Sequence, residues 1–214
     1  MKFLVIEGNI GAGKTSLCEM LAAEKNAKLI LEQFDDNPFL SKFYEHPERY
    51  AFPTELSFLS ERYKQIKENL HQELFNDMVI SDYFLIKSLI FSSKTLEKEE
   101  YLLYRTVFDI IFENIVMPDL YVYLHKTPES LLKNIKKRGR EYEQNISEKY
   151  LKEIEEGYFN YFKQQNKIKI LAINTDNLDF VNKEEDYKII KSIIFEREHL
   201  EFIEFFDFIG DGIF

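Results

Sequence analysis

The stretch Gly8-Asn9-Ile10-Gly11-Ala12-Gly13-Lys14-Thr15 decides the fold of this 214-residue chain. It matches the phosphate-binding pattern G-x-x-x-x-G-K-[ST] at every specified position. An apolar run at residues 3–6 precedes the stretch, and helix-spaced apolar residues follow it. The pattern requires this context of strand, loop and helix, so the sequence predicts a nucleoside triphosphate site after the first strand.

Each part of this phosphate loop has a chemical role in such a site. Glycines let backbone N–H groups converge on phosphate oxygens, and the positive end of the following helix adds to the attraction. We expect Lys14 to reach the β- and γ-phosphates and the Thr15 hydroxyl to help bind Mg²⁺. The residues predicted to contact ATP here are Gly8, Asn9, Ile10, Gly11, Ala12, Gly13, Lys14, Thr15 and Ser16.

The composition argues against several classes of function. The formal net charge is −10, which disfavours nucleic acid or an anionic membrane as the main partner. The apolar stretches are too short to cross a bilayer, and the N-terminus lacks the basic region and cleavage site of a signal peptide. A single cysteine, Cys18, cannot form an internal disulfide. We expect a cytoplasmic protein, and residues 1–214 to form one domain because no Pro/Gly/Ser-rich linker divides them.

Short β-rich runs alternate with longer segments of helical periodicity, which is typical of an α/β fold with a parallel sheet. We predict strands at residues 2–6, 28–32, 78–81, 119–124 and 168–173. We predict helices at residues 14–25, 49–75, 84–93, 97–116, 128–138, 147–165 and 183–197. Ligands of such folds bind at the carboxyl ends of the strands. The Phe-rich tail, residues 198–214, is expected to be a last amphipathic segment packed on the core, or else a subunit contact.

Charged residues occur where phosphoryl transfer needs them. Arg138 and Arg140 belong to a basic run in an acidic chain, and such a run between two helices can close over a triphosphate as a lid, here about residues 137–146. Glu32, after the second strand, is placed to accept the proton of an attacking hydroxyl. Asp82, after the third strand, is placed to help hold Mg²⁺. The alternatives are that the cations only favour a helix C-terminus and that the carboxylates only cap the following elements.

Together these motifs resemble those of the deoxynucleoside kinase family, and most closely the bacterial deoxyguanosine kinases. The resemblance extends from residue 3 to about residue 180. It implies an α/β P-loop kinase fold in three layers, with a five-stranded parallel sheet flanked by helices and an arginine lid. It also implies a dimer that transfers the γ-phosphoryl group of ATP to the 5′-hydroxyl of a deoxynucleoside. The segments that carry the resemblance are residues 7–15, 43–50, 58–62, 138–140, 143–144 and 179–180.

The resemblance further implies roles for individual residues. Glu32 resembles the general base for the 5′-hydroxyl. Tyr44 and Glu143 resemble the pair that binds the sugar 3′-hydroxyl, one as donor and the other as acceptor. Phe91 is similar to an aromatic residue that packs on the acceptor base. Two residues resemble the loop that contacts the base of the phosphate donor: Asp179 and Phe180.

Glu55 stands where many members of the family have a glutamine facing the base, with Arg62 two turns later. An ionised glutamate only accepts hydrogen bonds; guanine presents adjacent N1–H and N2–H₂ donors, whereas adenine presents N1 as an acceptor. We expect Lys87 or Arg62 to donate to guanine O6. The mismatch with adenine costs roughly 1–3 kcal/mol or more, which favours guanine. The alternative is that Glu55 and Lys87 pair with each other or face solvent.

Two further positions depart from the family pattern. Tyr83 stands where an arginine that positions the 5′ oxygen is expected, and Lys87 is a candidate replacement. Asn134 stands where a lid arginine is common. Lys133 and Lys137 are candidates to compensate as point charges, without the bidentate fork of an arginine.

Other functions stay open at this point. A thymidylate-type nucleoside monophosphate kinase shares the architecture but needs an extra cation beside the 5′ position, where this chain has Glu32. A GTP-driven switch should show N-K-x-D, and residues 174–176 lack the lysine. Motifs alone do not distinguish a regulator that binds nucleotide without turnover. We expect a homodimeric, Mg²⁺-dependent kinase that uses ATP and prefers deoxyguanosine, with deoxyadenosine or another deoxynucleoside as the alternative acceptor.

Overall fold

The structure, a computed structural model, describes residues 1–33, 37–70, 77–199 and 201–207. Within these ranges the strands are β1 (Phe3–Gly8), β2 (Lys28–Ile30), β3 (Val79–Ser81), β4 (Leu120–His125), β5 (Ile170–Asn174) and β6 (Ile203–Phe206). The α-helices are α1 (Lys14–Lys25), α2 (Leu40–Glu45), α3 (Pro47–Leu70), α4 (Ile86–Thr95), α5 (Lys98–Phe112), α6 (Pro128–Arg138), α7 (Glu148–Gln164) and α8 (Glu184–Phe195).

The strands form one parallel sheet in the order β2-β3-β1-β4-β5-β6. β1 is central, with β3 on one side and β4 on the other. The next two strands along the chain, β2 and β3, therefore lie on one side of β1, and the last three strands lie on the other side. The loop that follows β1 opens where the strand order reverses, which is the place where parallel α/β sheets bind ligands.

The predicted three-layer α/β architecture is confirmed. Side chains alternate along β1, so that Phe3 and Val5 pack on one face of the sheet and Leu4 and Ile6 on the other. Helices α3, α4 and α5 and most of α7 cover the first face, and α1, α6 and α8 cover the second. Because both faces are buried, the central strands read as continuous apolar runs in the sequence.

The predicted number of strands is wrong, because the sheet has six strands rather than five. The five predicted strands are present, and the tail adds β6 as a parallel neighbour of β5. Ile203 packs against one core layer and Phe206 against the other. A strand that is apolar on both faces lacks the alternation that would have marked it. Residues 203–206 are therefore packed on the core, as one of the two expectations for the tail has it, and they form an edge strand. Residues 200 and 208–214 lie outside the described residues.

The helices follow the prediction with small shifts at their ends. The helix predicted at residues 49–75 begins two residues earlier, at Pro47, and is described as far as Leu70. Residues 71–76 lie outside the described ranges. The short helix α2 was not predicted, because its six residues are too few for a clear periodic pattern. In the part of the chain that the structure describes, no helix has both the length and the apolar character needed to span a bilayer.

Candidate active site

A cleft of about 830 Å³, including its open mouth, lies at the carboxyl end of β1, β2 and β3. The residues predicted from the sequence that line this cleft are Ile10, Lys14, Thr15, Glu32, Tyr44, Glu55, Arg62, Asp82, Lys87, Phe91, Arg138, Arg140 and Glu143. The structure therefore gathers side chains from distant parts of the chain into one place.

The phosphate loop owes its shape to glycine. Gly11 and Gly13 have φ angles of 83° and 91°, in the left-handed region that favours glycine. A Cβ atom on Gly11 would lie 2.8 Å from the carbonyl oxygen of Leu131. Helix α1 begins directly after the loop at Lys14, so its first N–H groups are available to an anion.

Lys14 folds over this loop. Its Nζ donates to the carbonyl oxygens of Gly8 and Asn9, both at 2.9 Å. Desolvation of the ammonium group, together with nearby Lys87, lowers the pKa of Lys14 to about 8. A phosphate in the loop would favour the charged ammonium and so raise this pKa again.

Thr15 and Asp82, the predicted Mg²⁺ ligands, are in contact. The Thr15 hydroxyl donates to Asp82 Oδ2 at 2.6 Å, and the backbone N–H of Glu32 donates to Oδ1 at 2.7 Å. A hydroxyl and a carboxylate are hard oxygen donors that suit Mg²⁺. Among the described residues there is no group of three or more His, Cys, Asp and Glu side chains that could hold a metal ion. A cation here would depend on phosphate and water oxygens for its other ligands.

Glu32 lies between two cations. Arg62 donates to its Oε1 from Nε at 2.7 Å and from Nη2 at 2.5 Å, and Lys87 Nζ donates to Oε2 at 2.5 Å. Burial alone would raise the pKa of Glu32, but Arg62 and Lys87 outweigh burial and hold this pKa well below its usual range. The carboxylate is therefore ionised at neutral pH, in the form that accepts a hydrogen bond or a proton.

Tyr83, at the position of the expected arginine, does not reach the cleft. Its side chain is fully buried, and its hydroxyl donates to Gln65 Oε1 at 2.7 Å. The cationic partners of Glu32 are instead Lys87 and Arg62. Both residues expected to donate to guanine O6 are thus engaged with Glu32.

Glu55 lies on α3 and its side chain faces Thr95 of α4. It is 4% exposed, and Thr95 Oγ1 is 2.8 Å from its Oε1. The alternative pairing with Lys87, or exposure to solvent, is therefore not what the structure shows. Burial raises the pKa of Glu55 to about 7, with Arg62 and Thr95 opposing this effect in part.

One face of α4 supplies Lys87, Phe91 and Thr95, which are spaced four residues apart. The Phe91 ring lines the cleft and meets the ring of Tyr158 edge to face, with centroids 6.4 Å apart. This contact fixes the ring in a position where a flat base could pack on it.

The residues of the predicted lid meet at Glu143. Arg138 forms a close ion pair with Glu143 Oε2, and Arg140 Nη1 lies 3.4 Å from Oε1. The rings of Tyr44 and Tyr142 stack with their centroids 5.9 Å apart. Burial, followed by the charge of Glu143, raises the pKa of Tyr44 above its usual range, so its hydroxyl stays a hydrogen-bond donor.

Asn134 joins the lid helix to the phosphate loop, because its Nδ2 donates to the carbonyl oxygen of Gly11 at 2.9 Å. A neutral amide therefore stands at the position where a lid arginine is common. It connects α6 to the loop but adds no charge.

Asp179 and Phe180 are not among the residues that line the cleft. Phe180 is buried and packs against the phosphate loop, where a Cβ on Gly13 would lie 2.9 Å from its Cζ. The backbone N–H of Asp179 donates to Asp186 Oδ2 at 2.7 Å, and its carboxylate accepts from Asn182. The predicted contact of this pair with the donor base stays a prediction.

Sequence reasoning assigned no individual role to several other residues of the cleft, although some lie in segments that carry the resemblance or in the predicted lid: Leu40, Phe43, Thr54, Phe58, Tyr142 and Tyr150. Phe58 carried a usable signal, since it precedes Arg62 by one helical turn and the guanidinium carbon lies 4.8 Å from its ring centroid. Tyr150 carried none, because it comes from α7, which folds against the cleft from a distant part of the chain.

Comparison with known proteins identifies the family. A sequence profile described as "Deoxynucleoside kinase" matches residues 4–200. This chain belongs to the deoxynucleoside kinase family. The kinase is 33% identical over 199 residues to the deoxyguanosine kinase of Bacillus subtilis (strain 168), covering 91% of this chain and 96% of that protein. It is 29% identical over 186 residues to the deoxyadenosine/deoxycytidine kinase of the same organism, covering 85% and 86%.

A solved structure of similar fold is that of deoxyadenosine kinase from M. mycoides with bound dATP. It superposes with a TM-score of 0.78 at 23% identity, covering 90% of this kinase and 98% of that chain. The agreement confirms the fold class. By its family and relatives the kinase is a phosphotransferase with an alcohol acceptor, as predicted.

Proposed function

We propose that this kinase transfers the γ-phosphoryl group of ATP to the 5′-hydroxyl of a deoxynucleoside, and that deoxyguanosine is its preferred acceptor. The observation that carries the proposal is that Glu32, held ionised, shares one cleft with Lys14 of the phosphate loop. An acceptor hydroxyl bound at Glu32 would therefore meet the terminal phosphate of a nucleotide bound in the loop.

Glu32 favours an uncharged alcohol as the acceptor over a nucleoside monophosphate. Arg62 and Lys87 keep its carboxylate ionised, in the form that accepts a proton, whereas the attacking oxygen of a nucleoside monophosphate belongs to an ionised phosphate and has no proton to transfer. A neutral hydroxyl would instead donate to the carboxylate and pass its proton there as the new O–P bond forms. This argument separates the proposal from a thymidylate-type kinase.

Lys14, Arg138 and Arg140 would stabilise the charge of the transferring phosphoryl group, which spreads over its equatorial oxygens. Arg138 and Arg140 already lie at the cleft through their contacts with Glu143. Thr15 and Asp82 would hold Mg²⁺, which when bound neutralises charge on the β- and γ-phosphates.

The remaining contacts would position the nucleoside. Tyr44 as donor and Glu143 as acceptor would bind the 3′-hydroxyl, and Phe91 would pack on the base. The relatives include kinases named for deoxyguanosine and for deoxyadenosine/deoxycytidine, so their names do not indicate which base this kinase prefers. The preference for guanine rests on Glu55, whose ionised form accepts from both N1–H and N2–H₂.

The proposal is tested by incubating the full chain with Mg²⁺, ATP and each of the four deoxynucleosides at about pH 8. This pH lies above the pKa of Glu55, which burial raises to about 7, so that Glu55 is mainly ionised. We expect 5′-monophosphates as products and the highest kcat/KM for deoxyguanosine. Nucleoside monophosphates serve as the rival acceptors. Formation of diphosphates from them, with no reaction of the deoxynucleosides, would overturn the proposal. A higher kcat/KM for deoxyadenosine would overturn only the guanine preference.

A further inference from the structure

A single hydroxyl proton lies between two acceptors at the base end of the cleft. Thr95 Oγ1 is 2.8 Å from Glu55 Oε1 and 3.1 Å from the backbone carbonyl oxygen of Phe91. A threonine hydroxyl donates one hydrogen bond and can also accept one. When Glu55 is ionised, the hydroxyl donates to it. When Glu55 is protonated, the hydroxyl can donate to the Phe91 carbonyl oxygen and accept from the carboxyl group. The same positions of these oxygen atoms are therefore compatible with both protonation states of Glu55.

Glu55 is a buried carboxyl group, and among the described residues it forms no ion pair of its own. Arg62 and Lys87 are the cations that face it, and both form ion pairs of 2.5 Å with Glu32. Burial raises the pKa of Glu55 to about 7, and these cations oppose the effect only in part. The charged and titratable groups that face Glu55 from its own helix and from the elements packed around it are Arg62, Lys87, Glu32, Tyr44, Tyr104 and Tyr150.

The two states offer different hydrogen-bonding patterns to a base. An ionised carboxylate only accepts, which complements the N1–H and N2–H₂ donors of guanine. A protonated carboxyl presents one donor and one acceptor, which complements N1 and N6–H₂ of adenine. Each base would leave an unsatisfied or repulsive contact against the other state.

We propose that Glu55 selects guanine when ionised and adenine when protonated, so that the base preference of this kinase changes with pH in the neutral range. The inference rests on the proposed function, and it adds that one side chain recognises two different bases through its two protonation states. As the pH falls, guanine loses its complementary partner and adenine gains one. If each base binds only its own state, the ratio of the two kcat/KM values rises by about tenfold for each pH unit.

The test is to measure kcat/KM for deoxyguanosine and deoxyadenosine from about pH 5.5 to about pH 8.5 with saturating Mg²⁺ and ATP. The ratio of the two values is the decisive quantity, because groups that act on phosphoryl transfer, such as Lys14 and Glu32, affect both acceptors alike. We expect the guanine/adenine ratio to rise by about 30-fold or more between pH 6 and pH 8. A ratio that stays constant within about twofold would overturn the inference.

Two variants provide the controls. Glu55→Gln has one donor and one acceptor at every pH, so its ratio should be flat and should favour adenine. Thr95→Val removes the hydroxyl that supports the ionised state and should lower the ratio at each pH by about threefold or more, whereas Thr95→Ser should behave as wild type. Retention of the wild-type pH dependence in Glu55→Gln would overturn the inference. Turnover with a flat wild-type ratio leaves the proposed function intact, whereas no phosphorylation of any deoxynucleoside would overturn both.

Discussion

At the scale of single residues, the cleft holds two buried carboxylates in different protonation equilibria. Arg62 and Lys87 are within reach of both, but their ion pairs go to Glu32. Glu32 therefore has a pKa well below its usual range, while burial raises the pKa of Glu55 to about 7. One carboxylate is ionised at neutral pH in the part of the cleft that holds Lys14, and the other titrates near neutral pH where we propose that the acceptor base binds.

Replacing Glu32 with glutamine should reduce turnover far more than nucleotide binding. The amide keeps the shape but does not accept the proton of the 5′-hydroxyl, so kcat should fall by about 10²–10⁴-fold. The dissociation constant for ATP should change by no more than about threefold, because Glu32 is not one of the residues of the phosphate loop. Steady-state kinetics and calorimetric titration measure the two quantities.

The matched control for this variant is Glu61→Gln, which changes an exposed glutamate on α3. Since glutamine leaves Arg62 and Lys87 without their anion, a thermal unfolding curve must accompany the kinetics. Unchanged turnover in a folded Glu32→Gln protein would remove the assignment of Glu32 as the proton acceptor.

Replacing Lys87 with methionine should move the acid limb of the pH–kcat profile to higher pH. Lys87 is one of the two cations that lower the pKa of Glu32, so its loss raises that pKa. A depressed carboxyl pKa contributes stability that is fully present above the unfolded value and is lost as pH falls toward the folded value. For turnover, the acid limb therefore moves to higher pH. For stability, the unfolded pKa is unchanged and only the folded pKa rises toward it, so the acid-sensitive window narrows and the variant loses less stability on acidification.

Measurements of kcat and of circular dichroism from about pH 4 to about pH 8 follow both effects. Lys94→Met, an exposed change on the same helix, is the control and should keep the wild-type profile. An acid limb that does not move in Lys87→Met would show that Lys87 does not set the ionisation of Glu32.

At the scale of secondary-structure elements, prediction from the sequence succeeded where the signal is contiguous along the chain. The phosphate loop and the positions of Glu32 and Asp82 after buried strands follow from local patterns. The partners of Glu32 do not, because α3 and α4 bring them together only in the folded state. The sequence did not predict β6 for a related reason. Apolar residues of this strand pack on both faces of the sheet, so the tail lacks the alternation of apolar and polar residues that would have indicated a strand.

The lid element gives the next prediction. Arg138 lies at the end of α6, contacts Glu143 in the following 3₁₀ turn and lines the same cleft as Lys14. Our proposal assigns it to the charge of the transferring phosphoryl group. Arg138→Ala should lower kcat by roughly 10²–10³-fold with a smaller change in the KM for the deoxynucleoside. Arg138→Lys should recover part of this loss, because lysine keeps the charge but not the bidentate geometry.

Lys136→Ala, which removes an exposed cation from the same helix, is the control for the lid. It should leave kcat within about twofold of wild type, since exposed surface charges contribute little. Equal effects of Arg138→Ala and Lys136→Ala would indicate that the basic run acts only through its overall charge.

At the scale of the whole molecule, the charge distribution is uneven. The chain carries a net charge of −10, whereas the described side chains that line the cleft carry a small positive balance. Five of them are cations, Lys14, Arg62, Lys87, Arg138 and Arg140, and four are acidic, Glu32, Glu55, Asp82 and Glu143. Positive charge confined to a cleft can attract and hold a polyphosphate even when the surrounding surface is acidic. The acidic composition thus disfavours nucleic acid as a partner without disfavouring a small anionic nucleotide.

The outer face of α5 leads to the last prediction, which concerns the expected homodimer. Leu102, Leu103 and Ile110 are 57%, 58% and 66% exposed, and their spacing puts them on one side of the helix, with Ile110 two turns after Leu103. An apolar stripe of this kind is unfavourable in water and is typical of a subunit contact. We expect light scattering to give twice the chain mass of 25.7 kDa for the wild type and the mass of one chain for Leu103→Lys. Val181→Lys, which changes an exposed apolar residue elsewhere, should stay dimeric; a dimer that persists in Leu103→Lys would place the contact on another face.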